Sequence, residues 1–149
     1  YDTDIGRVGI AERGGAVTHL FFGGTARPMS LYPERTELLD RAAGQLREYL
    51  AGNRRRFDLP LAPEGTDFQE RVWNELRAVD YGKTRTYSQL AEAIGNPRAC
   101  RAVGRAVGHN PTPILLPCHR VVGAGGKLTG YAGGLALKQR LLAMEGGRG

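Results

Sequence analysis

Thr86-Tyr87-Ser88-Gln89-Leu90-Ala91-Glu92-Ala93-Ile94-Gly95-Asn96-Pro97-Arg98-Ala99-Cys100-Arg101-Ala102-Val103-Gly104-Arg105-Ala106-Val107-Gly108 holds two short helical patterns separated by one break. Tyr87, Leu90, Ala91 and Ile94 recur at helical spacing over Thr86–Ala93. Gly95-Asn96-Pro97 is a tight turn. Over Arg98–Gly108, Cys100, Val103 and Val107 share one side, and Arg98, Arg101 and Arg105 share another. Two short helices joined by a glycine-containing turn, the second basic on one face, predict a helix-turn-helix. Helical hairpins are common, so the reading needs support from elsewhere in the chain.

Working outward, Asn110-Pro111-Thr112-Pro113 leads into Ile114-Leu115-Leu116-Pro117-Cys118-His119-Arg120-Val121-Val122. An apolar run enters the interior and Pro117 stops strand pairing, because it has no donor and a fixed φ. A thiol, an imidazole and a guanidinium follow in succession. Cysteine is usually a small buried hydrophobe. With a histidine and an arginine adjacent, the expectation is instead an environment favouring thiolate, the nucleophilic form. On a regular strand Cys118 and His119 would point apart. Their cooperation therefore requires a turn or helix start after Pro117.

Charge points to the partner. The 149 residues carry a net +6. Residues 1–65 balance nine Lys/Arg against nine Asp/Glu, whereas residues 66–149 carry twelve against six. Between Tyr81 and Lys127 the only acid is Glu92, against Lys83, Arg85, Arg98, Arg101, Arg105, Arg120 and Lys127. A one-sign basic segment attracts polyanions, nucleic acid above all. No apolar run approaches the roughly twenty residues that cross a bilayer, and no signal peptide is recognisable. Two cysteines, Cys100 and Cys118, cannot make a four-thiolate zinc site. We expect no metal and no cofactor, and a reducing, cytoplasmic setting.

The remaining chain divides at Ala62-Pro63-Glu64-Gly65. Before it, Arg7–Glu12 and Ala16–Phe22 read as strands joined at Arg13-Gly14-Gly15, and a loop with Gly23-Gly24 and Pro28 follows. Arg35–Leu50 reads as a helix with Leu39, Ala42, Ala43, Leu46, Tyr49 and Leu50 inward, ended near Gly52. Phe57, Leu59 and Leu61 alternate as a short edge strand tolerating Pro60. Arg54-Arg55-Arg56 reads as a solvated helix end. After the linker, Thr66 and Gln69 form a capping box opening a helix with Phe68, Val72, Leu76 and Val79 buried and Trp73 beside them. Gly123–Gly134 reads as a wing or pocket rim; it lacks the Gly-Lys-Ser/Thr of a P-loop. Leu135–Glu145 reads as a last helix, ended by Gly146. The fold class expected is α/β (α+β): residues 1–62 a small N-terminal α/β domain with a short antiparallel sheet, residues 63–149 a mostly helical winged helix-turn-helix domain.

A DNA-binding helix has no ordinary use for a reactive thiol behind it, so the two together suggest chemistry on a base flipped out of the stack. Arg101, flanked by Ala99, Cys100 and Ala102, fits the task of filling the vacated space. Pro117-Cys118-His119-Arg120-Val121, with Asn110-Pro111 upstream and Gly130-Tyr131-Ala132-Gly133-Gly134-Leu135 downstream, resembles the O6-alkylguanine-DNA alkyltransferases from about Thr66 to Gly146. The opening Tyr-Asp-Thr-x-Ile-Gly is similar to the bacterial members.

The resemblance implies a partner, double-stranded DNA containing O6-alkylguanine, and a monomer able to bind it cooperatively. It implies that Cys118 accepts the alkyl group irreversibly, that His119 takes the thiol proton through a water, and that Glu145 orients His119. Tyr87 would protonate the departing guanine, Arg101 would replace the flipped base, and Asn110 would tie the recognition helix to the active-site turn. Backbone groups of Cys118 and Val121 would read the exocyclic amine, while Tyr131, Ala132 and Gly133 would line the pocket. Thr86, Arg98, Ala99, Ala102 and Arg105 would meet DNA beside Arg101. Ala132 stands where some relatives carry serine, so a side-chain hydrogen bond there is lost. Arg120 is expected as a structural ion-pair residue and Cys100 as packing. Two other readings stand beside this one. One is a winged-helix regulator whose cysteine packs or senses redox state, and the other is a cysteine hydrolase, which would normally bring its histidine from a distant segment.

Overall fold

A computed structural model describes residues 1–23 and 36–146. The expected loop through Gly24 and Pro28, and a helix start at Arg35, lie outside these residues. The chain forms two compact units, Tyr1–Glu64 and Gly65–Gly149.

In the first unit, β1 (Asp2–Thr3), β2 (Gly6–Arg13) and β3 (Ala16–Phe22) form an antiparallel sheet in that order. Gly14 and Gly15, at φ 61° and 81°, supply the left-handed pair that a two-residue hairpin turn needs. Helix α1 (Glu37–Leu50) starts at Thr36, whose hydroxyl accepts from Leu39 N. Its buried stripe of Leu39, Ala42, Ala43, Leu46, Tyr49 and Leu50 is the one read from periodicity. The edge strand expected over Phe57–Leu61 does not form. Only Leu61 bridges, to Val17. Pro60 offers no donor, and Asp58 is taken by a side chain: Gln45 Oε1 accepts from Asp58 N (2.8 Å) while Gln45 Nε2 donates to Asp58 O (3.2 Å). Gln45, in the α1 face turned inward, satisfies the backbone a strand partner would have.

The second unit is mostly helical, with α2 (Asp67–Leu76), α3 (Tyr87–Ala93), α4 (Cys100–Gly108) and α5 (Leu135–Met144). Thr66 and Gln69 make the full reciprocal capping box. Thr86 and Gln89 make a second one at α3 that the sequence reading had not singled out. Val72, Trp73 and Leu76 are buried on α2; Val79 is buried beyond its end, and Phe68 is only half-buried. Trp73 donates its indole N–H to Ala106 O (2.8 Å), tying α2 to α4 without leaving a buried donor unpaired. Helix α4 begins two residues later than expected. Ala99 N donates to Asn96 O, so Asn96–Ala99 closes as a turn, and Arg98 lies in that turn rather than on the helix. Two-residue strands β4 (Arg85–Thr86) and β5 (Val121–Val122) pair in parallel, joining the start of the helix-turn-helix to the residues just after Cys118. Gly123–Gly134 contains no strand; it folds back through Gly123 N to Lys127 O (2.7 Å).

Candidate active site

Pro117 ends the apolar run and a single 3-10 turn, Cys118–Arg120, follows it. This is the turn that cooperation between Cys118 and His119 demanded. All three residues are buried. The approach is strained: Ile114, buried and β-branched, sits at φ 72°, a conformation costing of order 1–3 kcal/mol that surrounding contacts must hold.

One holding contact is Asn110, just past α4. Its Nδ2 donates to Leu116 O (2.9 Å), and its Oδ1 accepts from Thr112 N (3.0 Å) and Thr112 Oγ1 (3.3 Å). The Asn110 side chain also hydrogen-bonds Cys118. It thus clasps the end of α4 to the turn, and its amide faces inward.

His119 is fully buried, and its Nε2 lies 2.7 Å from Glu145 Oε2. Glu145, the C-cap of α5, also accepts from Arg120 Nε (2.8 Å to Oε1), Arg120 Nη2 (2.9 Å to Oε2) and Gly82 N (3.3 Å to Oε1). Arg120 Nη1 donates to Val79 O (2.7 Å). A bidentate arginine keeps Glu145 ionised, so the carboxylate accepts from Nε2–H and Nδ1 is the basic ring nitrogen. The carboxylate at the C-terminal end of α5 opposes the helix dipole; Arg120 is the offsetting charge. Burial lowers the pKa of His119, and the hydrogen bond and charge of Glu145 only partly offset this. The resting imidazole is neutral, as a base must be.

The thiolate expectation requires correction. Burial pushes the Cys118 thiol up, and the opposing hydrogen bond from Asn110, the charge of Lys138 and the backbone hydrogen bonds of Cys118 and Ile114 do not overcome it. The arginine next door is spent on Glu145 and Val79, and the histidine is neutral. Cys118 therefore rests as a thiol, followed in the chain by a neutral imidazole.

Tyr87, half-buried on α3, places its hydroxyl 2.6 Å from Thr129 Oγ1. The Tyr87 ring lies 3.8 Å from where a Cβ on Gly104 would stand, an ordinary van der Waals distance, so Tyr87 packs against α4 at this position. Tyr131 meets His119 edge-on, with ring centroids 6.5 Å apart. Gly133 is half-buried and Ala132 exposed. Val121 is buried, and its carbonyl already accepts from Lys138 Nζ (2.6 Å), leaving it one further lone pair. Arg98, Arg101 and Arg105 are exposed, and Ala99 and Ala102 are half-buried. Thr86 uses its hydroxyl as acceptor from Gln89 N (3.1 Å). Cys100 is half-buried with Sγ 3.8 Å from Ser88 Oγ.

Sequence reasoning passed over Lys138 and Thr129. Lys138 stands three and four residues before the buried Leu141 and Leu142, a spacing that already put it on the inward face. No group of three His, Cys, Asp or Glu among the described residues could hold a metal, and no described helix is long and apolar enough to cross a membrane.

Fold and site together define a helix-turn-helix protein with a buried Cys-His-Glu cluster behind its second helix. Residues 67–147 match the family described as 6-O-methylguanine DNA methyltransferase, DNA binding domain. The chain is 47% identical over 146 residues to the methylated-DNA–protein-cysteine methyltransferase of Mycolicibacterium paratuberculosis, covering 97% of this chain and 88% of that one. It is 56% identical over 113 residues to the protein of the same name from Methanosarcina acetivorans, covering 76% and 72%. The crystal structure of Mycobacterium tuberculosis OGT in complex with DNA superposes with a TM-score of 0.90 at 45% identity, covering 97% of this chain and 89% of that one. The chain belongs to the O6-methylguanine DNA methyltransferase family.

Proposed function

We propose that this chain repairs O6-alkylguanine in double-stranded DNA by moving the alkyl group onto its own Cys118, once per molecule. The observation that carries this reading is the hydrogen-bonded series His119–Glu145–Arg120 set next to a thiol in the unit that also exposes Arg101 and Arg105 on α4. Similar proteins bearing the name methylated-DNA–protein-cysteine methyltransferase support it.

Because the resting thiol is protonated, its proton must leave as the substrate arrives. A water takes it to His119 Nδ1, and the Glu145 carboxylate stabilises the imidazolium that forms, as in general-base activation of a nucleophile. The sulfur attacks the alkyl carbon, the carbon–oxygen bond breaks, and the electron pair passes into the guanine ring. Tyr87 protonates that ring. The products are guanine and a thioether at Cys118, which nothing in the site reverses, so the reaction is a single-turnover S-methyltransfer. No cofactor takes part.

The flipped base is reached through α4. Arg101 fills the gap left in the duplex, while Arg98, Arg105, Thr86, Ala99 and Ala102 meet the backbone and groove around it. The carbonyls of Cys118 and Val121 read the exocyclic amine, and Tyr131, Ala132 and Gly133 line the pocket. Asn110 acts as the clasp between α4 and the turn. Residues 1–62 serve as a structural domain and residues 63–149 as the DNA-binding and transfer domain. The protein works as a monomer in the cytoplasm, where thiols stay reduced.

The test is intact mass after incubation with duplex DNA containing O6-methylguanine, followed by peptide mapping. One methyl group per molecule on the Cys118 peptide, absent in Cys118→Ala, is the expected result. Unchanged mass with salt-sensitive DNA binding would replace this reading with a non-catalytic regulator.

A further inference from the structure

Lys138 is 1% exposed, yet its hydrogen-bond partners among the described residues are all neutral oxygens: Val121 O at 2.6 Å, Thr129 Oγ1 at 3.4 Å and Thr129 O at 3.5 Å. Burying an ammonium without a carboxylate partner is unfavourable, and an apolar side chain would fill the same space. Lys138 carries a directional consequence for its neighbours. An ammonium has donors and no acceptor. Thr129 Oγ1 must therefore accept from Nζ, and its own hydrogen is turned away from the positive charge. The other polar atom beside that hydroxyl is Tyr87 Oη, at 2.6 Å. With Thr129 donating to Oη, the Tyr87 phenolic hydrogen has no acceptor among the described residues and can be offered to a bound base.

We infer that Thr129 and Lys138 are positioning residues that make Tyr87 a proton donor to the departing guanine, an inference that rests on the transfer reading above. As the carbon–oxygen bond breaks, the Tyr87 proton goes to the anionic purine ring. The phenolate left behind is stabilised by the Thr129 hydroxyl and by the ammonium on the hydroxyl's far side. The same ammonium holds the Val121 carbonyl at the pocket wall, so one buried charge orients both a donor and an acceptor that face the base. Burial lowers the Lys138 pKa, and a thiolate at Cys118 would raise it, so the two groups lie within electrostatic reach of each other.

The experiment compares two alkyl donors on the same proteins under single-turnover conditions. Duplex O6-methylguanine has a leaving group that needs a proton; iodomethane, whose leaving group is iodide, has one that does not. Thr129→Val is expected to slow transfer from DNA by roughly 10- to 100-fold, part of the effect of general acid catalysis. Its Cys118 should react with iodomethane within about twofold of wild type, and Thr129→Ser should recover most of the DNA rate. Lys138→Met should slow the DNA reaction at least as far as Thr129→Val. Wild-type transfer by Thr129→Val, an equal loss with both donors, or no recovery in Thr129→Ser would overturn the inference. If the wild-type chain itself transfers nothing from DNA while reacting with iodomethane, the failure belongs to the transfer reading.

Discussion

The two units use charge in opposite ways. In the first, Arg7–Asp2 and Arg13–Glu64 are ion pairs between side chains 78% and 84%, and 79% and 71%, exposed. In the second, Arg120 meets Glu145 at 2.8 Å with the side chains 8% and 1% exposed, and His119 closes on the same carboxylate. Exposed pairs are screened and lose side-chain entropy, and they contribute close to nothing. Buried pairs carry a desolvation cost that only complete hydrogen bonding offsets, so each member is indispensable to the others. Charge decorates the first unit; it organises the second.

The sharpest way to break the contrast is Glu145→Ala. It leaves the Arg120 guanidinium buried without its carboxylate, and we expect a loss of about 3–5 kcal/mol in denaturant unfolding of the second unit, together with loss of alkyl transfer. A loss below 1 kcal/mol would mean that Arg120 is hydrated.

Next comes acid. The folded-state pKa of His119 is lowered from its ordinary 6.5. The unfolded chain thus takes up a proton as pH falls through about 6.5 while the folded chain does not. Stability contributed by the neutral imidazole is present above that pH and is lost as pH falls toward the folded value, at no more than about 1.4 kcal/mol per pH unit. Melting temperature should therefore drop below pH 6.5 in wild type and drop less steeply in His119→Gln; parallel curves would assign the acid sensitivity to other groups.

Smaller is the cap. Thr66→Ala removes one half of a reciprocal capping box and should cost about 1 kcal/mol, without changing the rate of transfer. The smallest effect belongs to the first unit: Arg7→Ala should shift stability by less than about 0.5 kcal/mol, and a larger shift would show that exposed pairs matter here more than their geometry implies.

These contrasts also mark what could be read from the residues alone. Elements with one strong local signal were legible: the Gly14-Gly15 hairpin, the Leu39-to-Leu50 stripe of α1, the Thr66 capping box, and the turn that begins at Cys118 directly after Pro117. Resemblance supplied Glu145, which lies 26 positions from His119 and is brought to it only by folding. What stayed hidden depended on partners remote in sequence. Phe57–Leu61 alternates as a strand should, and nothing local announces that Gln45 will occupy Asp58 instead. The adjacent histidine and arginine looked as though they would ionise Cys118, because their commitment to Glu145 is invisible in one dimension. Lys138 reads as an ordinary surface lysine until the spacing to Leu141 and Leu142 is weighed against its charge.

The distance along the chain between His119 and Glu145 has a consequence for biogenesis. Synthesis delivers the thiol and its neighbouring imidazole before the carboxylate that hydrogen-bonds the imidazole. A nascent chain that has emerged only through Val122 therefore carries Cys118 and His119 without the Glu145 carboxylate, and the buried network is completed when α5 closes onto the turn.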